Sequence, residues 1–234
     1  MTIPSSSLNN NASEQLAGFC ANLRFEDIPA DVIAHIKLSI LDGLGCCLVG
    51  STLPWTRKVR DMIDAEDAAP IASLLGSSDK VSLSGAILVN ATAGHAFELD
   101  DIHREAILHP NSIAVPVALN TAQFLGSASG KDILTAIIAG YEVGNRVGAA
   151  AGTDLLLRGF HPQGAVGPFC GAATASNMMR LNADKTRDAL GIAGSFGSGL
   201  MAAQEGAMVK RLHSGHAAEA GVRGALLAKR GFTG

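Results

Sequence analysis

The apolar part of this sequence consists mainly of small and aliphatic side chains, and this feature constrains the fold more than any other. Hydrophobic residues make up 47% of the 234 positions, but aromatic residues make up only 4%, and 27 glycines accompany them. Alanine and leucine are strong helix formers, whereas β-sandwiches usually contain more aromatic and β-branched residues. We therefore expect an all-α fold in which helices pack closely.

Apolar residues recur at helical spacing along most of the chain. Ile36, Ile40 and Leu44 follow one another every four residues, which is typical of a helix with one apolar face. The same pattern predicts eight or nine helices, of which the last spans residues 217–230. Only one segment, residues 70–76, is expected to be extended. It is short and has no predicted partner strand.

The two ends of the chain suggest its domain organisation. Residues 1–12 are rich in serine and asparagine, so we expect a flexible tail there. Residues 13–234 are expected to form one helical domain, with Ser13 capping its first helix. The chain ends after a glycine turn signal that follows a helix, which suggests an end between two domains rather than a natural terminus.

Charge and cysteine usage exclude several classes of partner. The net charge is −3 and there is no basic run, so we expect no nucleic-acid partner. The longest apolar tract, residues 133–140, is too short to span a membrane, and residues 1–12 do not resemble a signal peptide. The four cysteines include no C-x-x-C pair, which predicts neither a zinc nor an iron–sulfur site and favours a cytoplasmic location.

The densest polar segment overlaps the end of a predicted helix that runs through Val89, Ala93 and Phe97 and stops at Asp100. It contains His95, Glu98, Asp100, Asp101 and His103. Carboxylates beside histidines raise the imidazole pKa and orient its proton. His95 and Glu98 would share a helix face if the helix continued that far. The alternative is an ordinary helix end with solvated charges.

Four further histidines follow: one directly after this segment, one in a turn and two in a later polar segment. His109 precedes Pro110, which places it on a loop, and His161 lies in a Gly-Phe-His-Pro turn before a helix. Residues 210–216 contain two cations and two histidines. Such a run is usually a solvated face, but an arginine can bind a carboxylate with two hydrogen bonds and a lysine can serve as cation or acid.

Two other interpretations carry less weight. Residues 197–202 match G-x-G-x-x-A, but a predicted helix precedes them instead of a strand, so a dinucleotide site is not expected. The histidine and carboxylate cluster could bind a metal, yet H-E-x-x-H and paired E-x-x-H motifs are missing. We therefore predict no metal, and keep a metal-binding helical module and a non-catalytic interaction protein as alternatives.

Taken in order, these motifs resemble the MmgE/PrpD family, which includes 2-methylcitrate dehydratase, cis-aconitate decarboxylase and an iminodisuccinate epimerase. The matching segments read LDGLGC at 41–46, NATAGHAFELDD at 90–101, HP at 109–110, GFHP at 159–162 and KRLHSGHAA at 210–218. Each motif alone is weak, but their joint order and spacing are specific.

The resemblance implies a multi-helix N-terminal domain that is followed in the family by a smaller α/β domain. This chain is similar to the helical domain only, so we expect little or no activity from these 234 residues alone. The resemblance also implies a homodimer and a reaction that needs no cofactor.

The resemblance further implies a set of site residues. The implied catalytic residues are Glu98, Asp101, His109, His161 and Lys210, and the implied substrate-binding residues are His103, Lys210 and Arg211. His109 and His161 would form an acid/base pair whose assignment stays open, while Lys210 and Arg211 would hold substrate carboxylates. Glu98 and Asp101 would orient the histidines or shape the pocket.

Two positions depart from the pattern of some members of the family. Glu98 stands where some members have aspartate, and Ile102 stands where some have threonine. These differences bear on the substrate rather than on the family.

The implied function is a lyase acting on a small di- or tricarboxylate by removing a proton next to a carboxylate, as in 2-methylcitrate dehydratase. Such a reaction needs a positioned base, an acid and nearby cations. Decarboxylation and epimerisation stay open, because all three reactions pass through a carbanion-like state.

Overall fold

The computed structural model describes residues 11–66 and 68–234, and within them the fold is all-α, as predicted. Most of the predicted tail lies outside these residues; Asn11 and Ala12 start the first helix, and Asn11 caps it in place of the predicted Ser13. The α-helices are α1 (Ala12–Asn22), α2 (Ala30–Gly50), α3 (Pro54–Asp64), α4 (Leu83–Gly94), α5 (Asn111–Leu125), α6 (Gly130–Leu157), α7 (Pro162–Ala165), α8 (Gly167–Met178), α9 (Ala183–Ser195) and α10 (Val209–Lys229).

The described strands form one very small hairpin. Strand β1 (Ala72–Ser73) pairs antiparallel with β2 (Lys80–Val81), with Ala72 opposite Val81. The predicted extended segment therefore exists but is not solitary. Its partner was missed because a two-residue strand is too short to show the alternation of apolar and polar residues that marks a strand.

Helices α4, α8 and α10 form the centre of the molecule. Helix α10 packs against α4, α8 and α9, and α6 covers α8. The backbones of α8 and α10 approach so closely at Gly221 that a Cβ there would lie 2.5 Å from the nitrogen of Ala172 and 2.6 Å from the oxygen of Pro168. Small residues such as Gly221 allow the two helix backbones to approach this closely.

Two helix boundaries differ from the prediction, and both lie at the candidate site. Helix α4 ends at Gly94, where the prediction continued to Phe97, because His95 leaves the helical conformation and turns toward Asp100. Helix α10 begins at Val209, well before residue 217. Its first turns bury polar side chains, so apolar periodicity could not reveal them.

Helix α2 corrects the statement that no segment is long enough to span a membrane. By length and composition alone, its 21 residues could cross one. One such helix near the N-terminus is weak evidence, because core helices of other proteins pass the same test. Much of α2 is nevertheless on the surface, and Leu38, Leu41 and Leu48 are 65%, 68% and 51% exposed.

The close approach of α8 and α10 gives a stability test. We expect Gly221→Ala to lower the free energy of unfolding by about 2 kcal/mol or more, because the new methyl group meets backbone that cannot move aside. Gly45→Ala is the control: no atom lies within 4 Å of its Cβ position, so the change should be neutral or stabilise α2 by up to about 1 kcal/mol. Urea unfolding of both variants measures the difference, and equal effects would contradict the packing described here.

Candidate active site

Four imidazole rings from distant parts of the sequence form a continuous row. They belong to His95 after α4, His109 before α5, His161 before α7 and His213 on α10. The ring centroids are 4.6 Å apart for His95 and His109, 6.1 Å for His95 and His161, and 5.1 Å for His161 and His213. All but His109 are buried, and His109 is half-buried.

The buried carboxylate of Asp100 lies between two of these rings. Its Oδ2 atom is 3.0 Å from Nδ1 of His95 and 3.5 Å from Nδ1 of His109. Burial alone would raise the pKa of Asp100, but the contacts with His109 and His95 outweigh it and hold this pKa well below its usual range. Asp100 is therefore ionised, and its negative charge favours the protonated form of the neighbouring rings.

The pKa values of the two rings beside Asp100 shift in opposite directions. Burial lowers the pKa of His95 despite the hydrogen bond to Asp100, so His95 is neutral and donates its Nδ1–H. Burial would also lower the pKa of His109, but the interaction with Asp100 prevails and raises it. His109 is thus the ring of this pair that carries a proton more readily.

Lys210 and Arg211 bring two cations to the same region from the first turn of α10. Nζ of Lys210 pairs with Oε1 of Glu98, and Nη1 of Arg211 lies 3.1 Å from the same oxygen atom. Burial and the neighbouring Arg211 lower the pKa of Lys210. Glu98 reaches these cations from a left-handed backbone turn, with φ of 57°.

The other end of the row is a contact between two imidazoles. Nδ1 of His161 lies 2.8 Å from Nδ1 of His213, and both side chains are buried. Burial, followed by the nearby His213, lowers the pKa of His161 to about 3, and burial also lowers the pKa of His213. Both rings are therefore neutral near pH 7.

Gln163 fixes the loop that carries His109. Its Oε1 atom accepts from the backbone nitrogen of His109 at 2.9 Å, and its Nε2 atom donates to the carbonyl oxygen of the same residue at 3.1 Å. Nε2 also lies within 3.1 Å of the hydroxyls of Ser112 and Ser214. The fully buried amide thus joins α7 to α5 and α10.

The order of the motifs and their convergence agree with a comparison of the sequence with known protein families. The profile of the MmgE/PrpD N-terminal domain matches residues 14–234. The chain belongs to the MmgE/PrpD family. It spans about half the length of the curated relatives it matches.

Several relatives carry the name of one enzyme. The chain is 38% identical to a cis-aconitate decarboxylase-like protein, oryM, of Aspergillus oryzae, over 100% of this chain and 50% of the relative. It is 36% identical to cis-aconitate decarboxylase of Aspergillus terreus, over 97% of this chain and 47% of that protein. The human cis-aconitate decarboxylase is 32% identical, over 95% and 47% respectively.

The structure brings together most of the site residues that the family resemblance implies. Glu98, Lys210 and Arg211 contact one another. The charge of Arg211 acts on His161, and that of Lys210 acts on His213. His109 and His161 belong to the same row of imidazoles through His95. Their catalytic roles stay predictions.

Asp101 and His103 have other contacts. Asp101 accepts hydrogen bonds from the backbone of Asn111 at 3.0 Å and from the hydroxyl of Tyr141 at 2.7 Å, and burial raises its pKa. The imidazole of His103 accepts from the nitrogen of Ala106 at 3.2 Å. The carboxylate that contacts the histidine rings is Asp100. That Glu98 and Asp101 shape the pocket stays a prediction.

Sequence reasoning left four contributors out of the predicted site: His95, Asp100, His213 and Gln163. The first three lie within motifs that were recognised, so their types and positions were a usable signal. Gln163 directly follows the Gly-Phe-His-Pro turn but belongs to no chemical pattern. Only the fold shows that it holds the His109 loop.

The glycine-rich segment 197–202 packs against His161 and His213. The nitrogen of Ser198 donates to the oxygen of Gly164 at 3.1 Å, and the nitrogen of His161 donates to the oxygen of Gly199 at 3.0 Å. A Cβ at Gly199 would lie 3.2 Å from Nδ1 of His213. The segment follows α9 and runs into a short 3-10 helix (Met201–Glu205), so it is not the strand-to-helix loop of a dinucleotide site.

Three groups of the site could also bind a metal ion. Potential ligand atoms of His95, Asp100 and His109 lie within 4.8 Å of one another. The ionised carboxylate between two imidazoles accounts for this spacing through hydrogen bonding and charge. Elemental analysis of the purified protein tests the metal-binding alternative, and the absence of a metal stays a prediction.

A cavity of about 640 Å³ lies away from this site. Its lining includes Arg24, Lys131 and Arg180 but none of the predicted site residues. Lys131 lies 3.3 Å from Glu26, and Arg180 lies 3.1 Å from an oxygen of Asp132. The volume of a cavity alone therefore does not locate the cluster of histidines and charged side chains.

Gln163 gives a stability test of the site. We expect Gln163→Ala to lower the free energy of unfolding by about 2–4 kcal/mol, because the buried backbone groups of His109 lose their partners and a cavity forms. Gln15→Ala, at an exposed position of α1, should change it by less than about 0.5 kcal/mol. Chemical denaturation measures both values. Equal stabilities would mean that Gln163 does not hold the loop.

Proposed function

We propose that the protein is a cofactor-independent lyase acting on a small di- or tricarboxylate, and that its reaction is the decarboxylation of cis-aconitate or a close analogue. The observation that carries the proposal is the row of four imidazoles with two cations at one side. The names of the relatives support the choice of decarboxylation. The whole reaction belongs to this proposal, because the chain spans about half of those relatives.

Lys210 and Arg211 bind the carboxylates of the substrate in this proposal. Nη1 of Arg211 lies 3.1 Å from Oε1 of Glu98 but forms no hydrogen bond with it, and the buried Nε2 of His95 also has no hydrogen-bond partner. Buried polar atoms nearly always have partners. A ligand with carboxylate oxygens would supply an acceptor to Nη1 of Arg211, and a bound hydroxyl or water would donate to Nε2 of neutral His95.

His109 supplies the proton in this scheme. One carboxylate of the substrate leaves as CO₂, and the electron pair of the broken C–C bond stays on the carbon that carried it. Protonated His109 transfers a proton to that carbon and becomes neutral. Asp100 keeps His109 protonated before the transfer, while Lys210 and Arg211 stabilise the negative charge that develops.

The other expectations from the sequence stay predictions. A 2-methylcitrate dehydratase would need a base as well as an acid, and the assignment of these roles to His109 and His161 stays open. Epimerisation would use the same groups. A homodimer and a cytoplasmic location also stay predictions.

Removal of the buried cation tests the proposed substrate class. We expect Lys210→Met in the full-length protein to lower kcat/KM at least about 100-fold, because methionine keeps the length of the side chain but binds no carboxylate. Lys58→Met on α3 is the control. Turnover of cis-aconitate, 2-methylcitrate and iminodisuccinate is measured for each protein. Parental rates for Lys210→Met on whichever substrate reacts would contradict the assigned site.

The neighbouring carboxylates offer a matched pair for a pH test. Because Asp100 raises the pKa of His109, activity that needs protonated His109 falls as pH rises through this pKa. In Asp100→Asn the pKa decreases, so the fall should occur at lower pH, and kcat should drop about 100-fold or more. Asp101→Asn should shift the profile less, because Asp101 contacts Asn111 and Tyr141. Equal profiles for the two variants would contradict the role of Asp100.

A further inference from the structure

The contact between His161 and His213 constrains where the protons of both rings lie. Their Nδ1 atoms are 2.8 Å apart, which is a hydrogen-bond distance. A neutral imidazole has one N–H donor and one lone-pair acceptor. One ring must therefore donate from Nδ1, and the other must accept at Nδ1 and carry its own hydrogen on Nε2.

Burial, with the neighbouring imidazoles and cations acting in the same direction, keeps both rings neutral, so this coupling holds near pH 7. His161 is faced by His213, His95, His109 and Arg211, which together with burial lower its pKa. His213 is faced by His95, His216 and Lys210, which act in the same direction as its burial. No carboxylate is among these groups, so none favours the imidazolium form of either ring.

The backbone holds the two rings in this arrangement. His213 lies on α10, and its ring packs against Gly199, where a Cβ would come within 3.2–3.3 Å of three ring atoms. Gly199 has φ of 109°, in the region that favours glycine. Its carbonyl oxygen accepts the backbone N–H of His161 at 3.0 Å. One glycine thus fixes both histidines.

We propose that His213 is a positioning residue for His161: its Nδ1–H donates to Nδ1 of His161, so that His161 carries its hydrogen on Nε2. This inference rests on the proposed function, because the direction of the hydrogen bond follows from the ligand. Carboxylates offer only acceptors. A hydrogen on Nε2, on the far side of the ring from His213, can donate to a substrate carboxylate, whereas a lone pair there would repel it.

Two variants of His213 distinguish the effect of the hydrogen bond from the effect of the ring's volume. In His213→Asn an amide N–H takes a place close to that of Nδ1, and in His213→Leu the bulk stays without a donor. The imidazole ¹⁵N shifts of His161 identify its tautomer directly. Circular dichroism and urea unfolding confirm that each variant folds, and His35→Leu, at an exposed position of α2, is the control.

We expect a pyridine-type shift at Nδ1 and a pyrrole-type shift at Nε2 of His161 in the parent and in His213→Asn. His213→Leu should show a mixture of the two tautomers. KM for the reacting carboxylate should rise about 10-fold in His213→Leu, as expected for loss of one hydrogen bond to a charged group, and kcat should change less. His213→Asn should restore KM to within about 3-fold of the parent.

Two results would overturn the inference. The first is a hydrogen on Nδ1 of His161 in the parent, and the second is a His213→Leu variant with the parental tautomer. A full-length parent protein that has the expected tautomer but turns over none of the tested carboxylates would instead contradict the proposed function. The ¹⁵N result would then still support the role of His213, so the two failures are distinguishable.

Discussion

The site depends on an ionised carboxylate that is buried between two imidazoles. A buried charge is costly unless it is paired and hydrogen-bonded, and Asp100 meets this condition through His95 and His109. The requirement explains why α4 ends at Gly94 and why His95 turns out of the helix. It also makes two rings with the same chemistry different, since one becomes a neutral donor and the other a better proton carrier.

The close packing of small residues makes this arrangement possible. Helices α4, α8 and α10 approach closely enough to enclose polar side chains. Gly221 permits the contact of α8 with α10, and Gly199 permits the contact of the glycine-rich segment with His213. The same scarcity of aromatic residues that predicts a helical fold therefore also explains how histidines from four segments come together.

The sequence predicted the helices well where their buried faces are apolar, as in α2. It failed at the start of α10, because Lys210 and His213 are buried polar residues and give no apolar period. It also could not distinguish Asp100 from Asp101, which are adjacent and chemically identical. The choice depends on the left-handed turn at Glu98 and on the hydrogen bonds of Asp101 with Asn111 and Tyr141, and both are properties of the folded chain. Gln163 lies outside any motif, so only three-dimensional contacts reveal its role.

The most direct measurement of the central claim is a crystal structure of the protein with propane-1,2,3-tricarboxylate, an unreactive tricarboxylate. The account predicts one bound molecule with carboxylate oxygens within hydrogen-bond distance of Lys210 or Arg211 and of Nε2 of His161, beside an unbroken Asp100–His95 contact. A molecule bound only in the cavity lined by Arg24 and Arg180, or histidine rings that do not share one site, would contradict it.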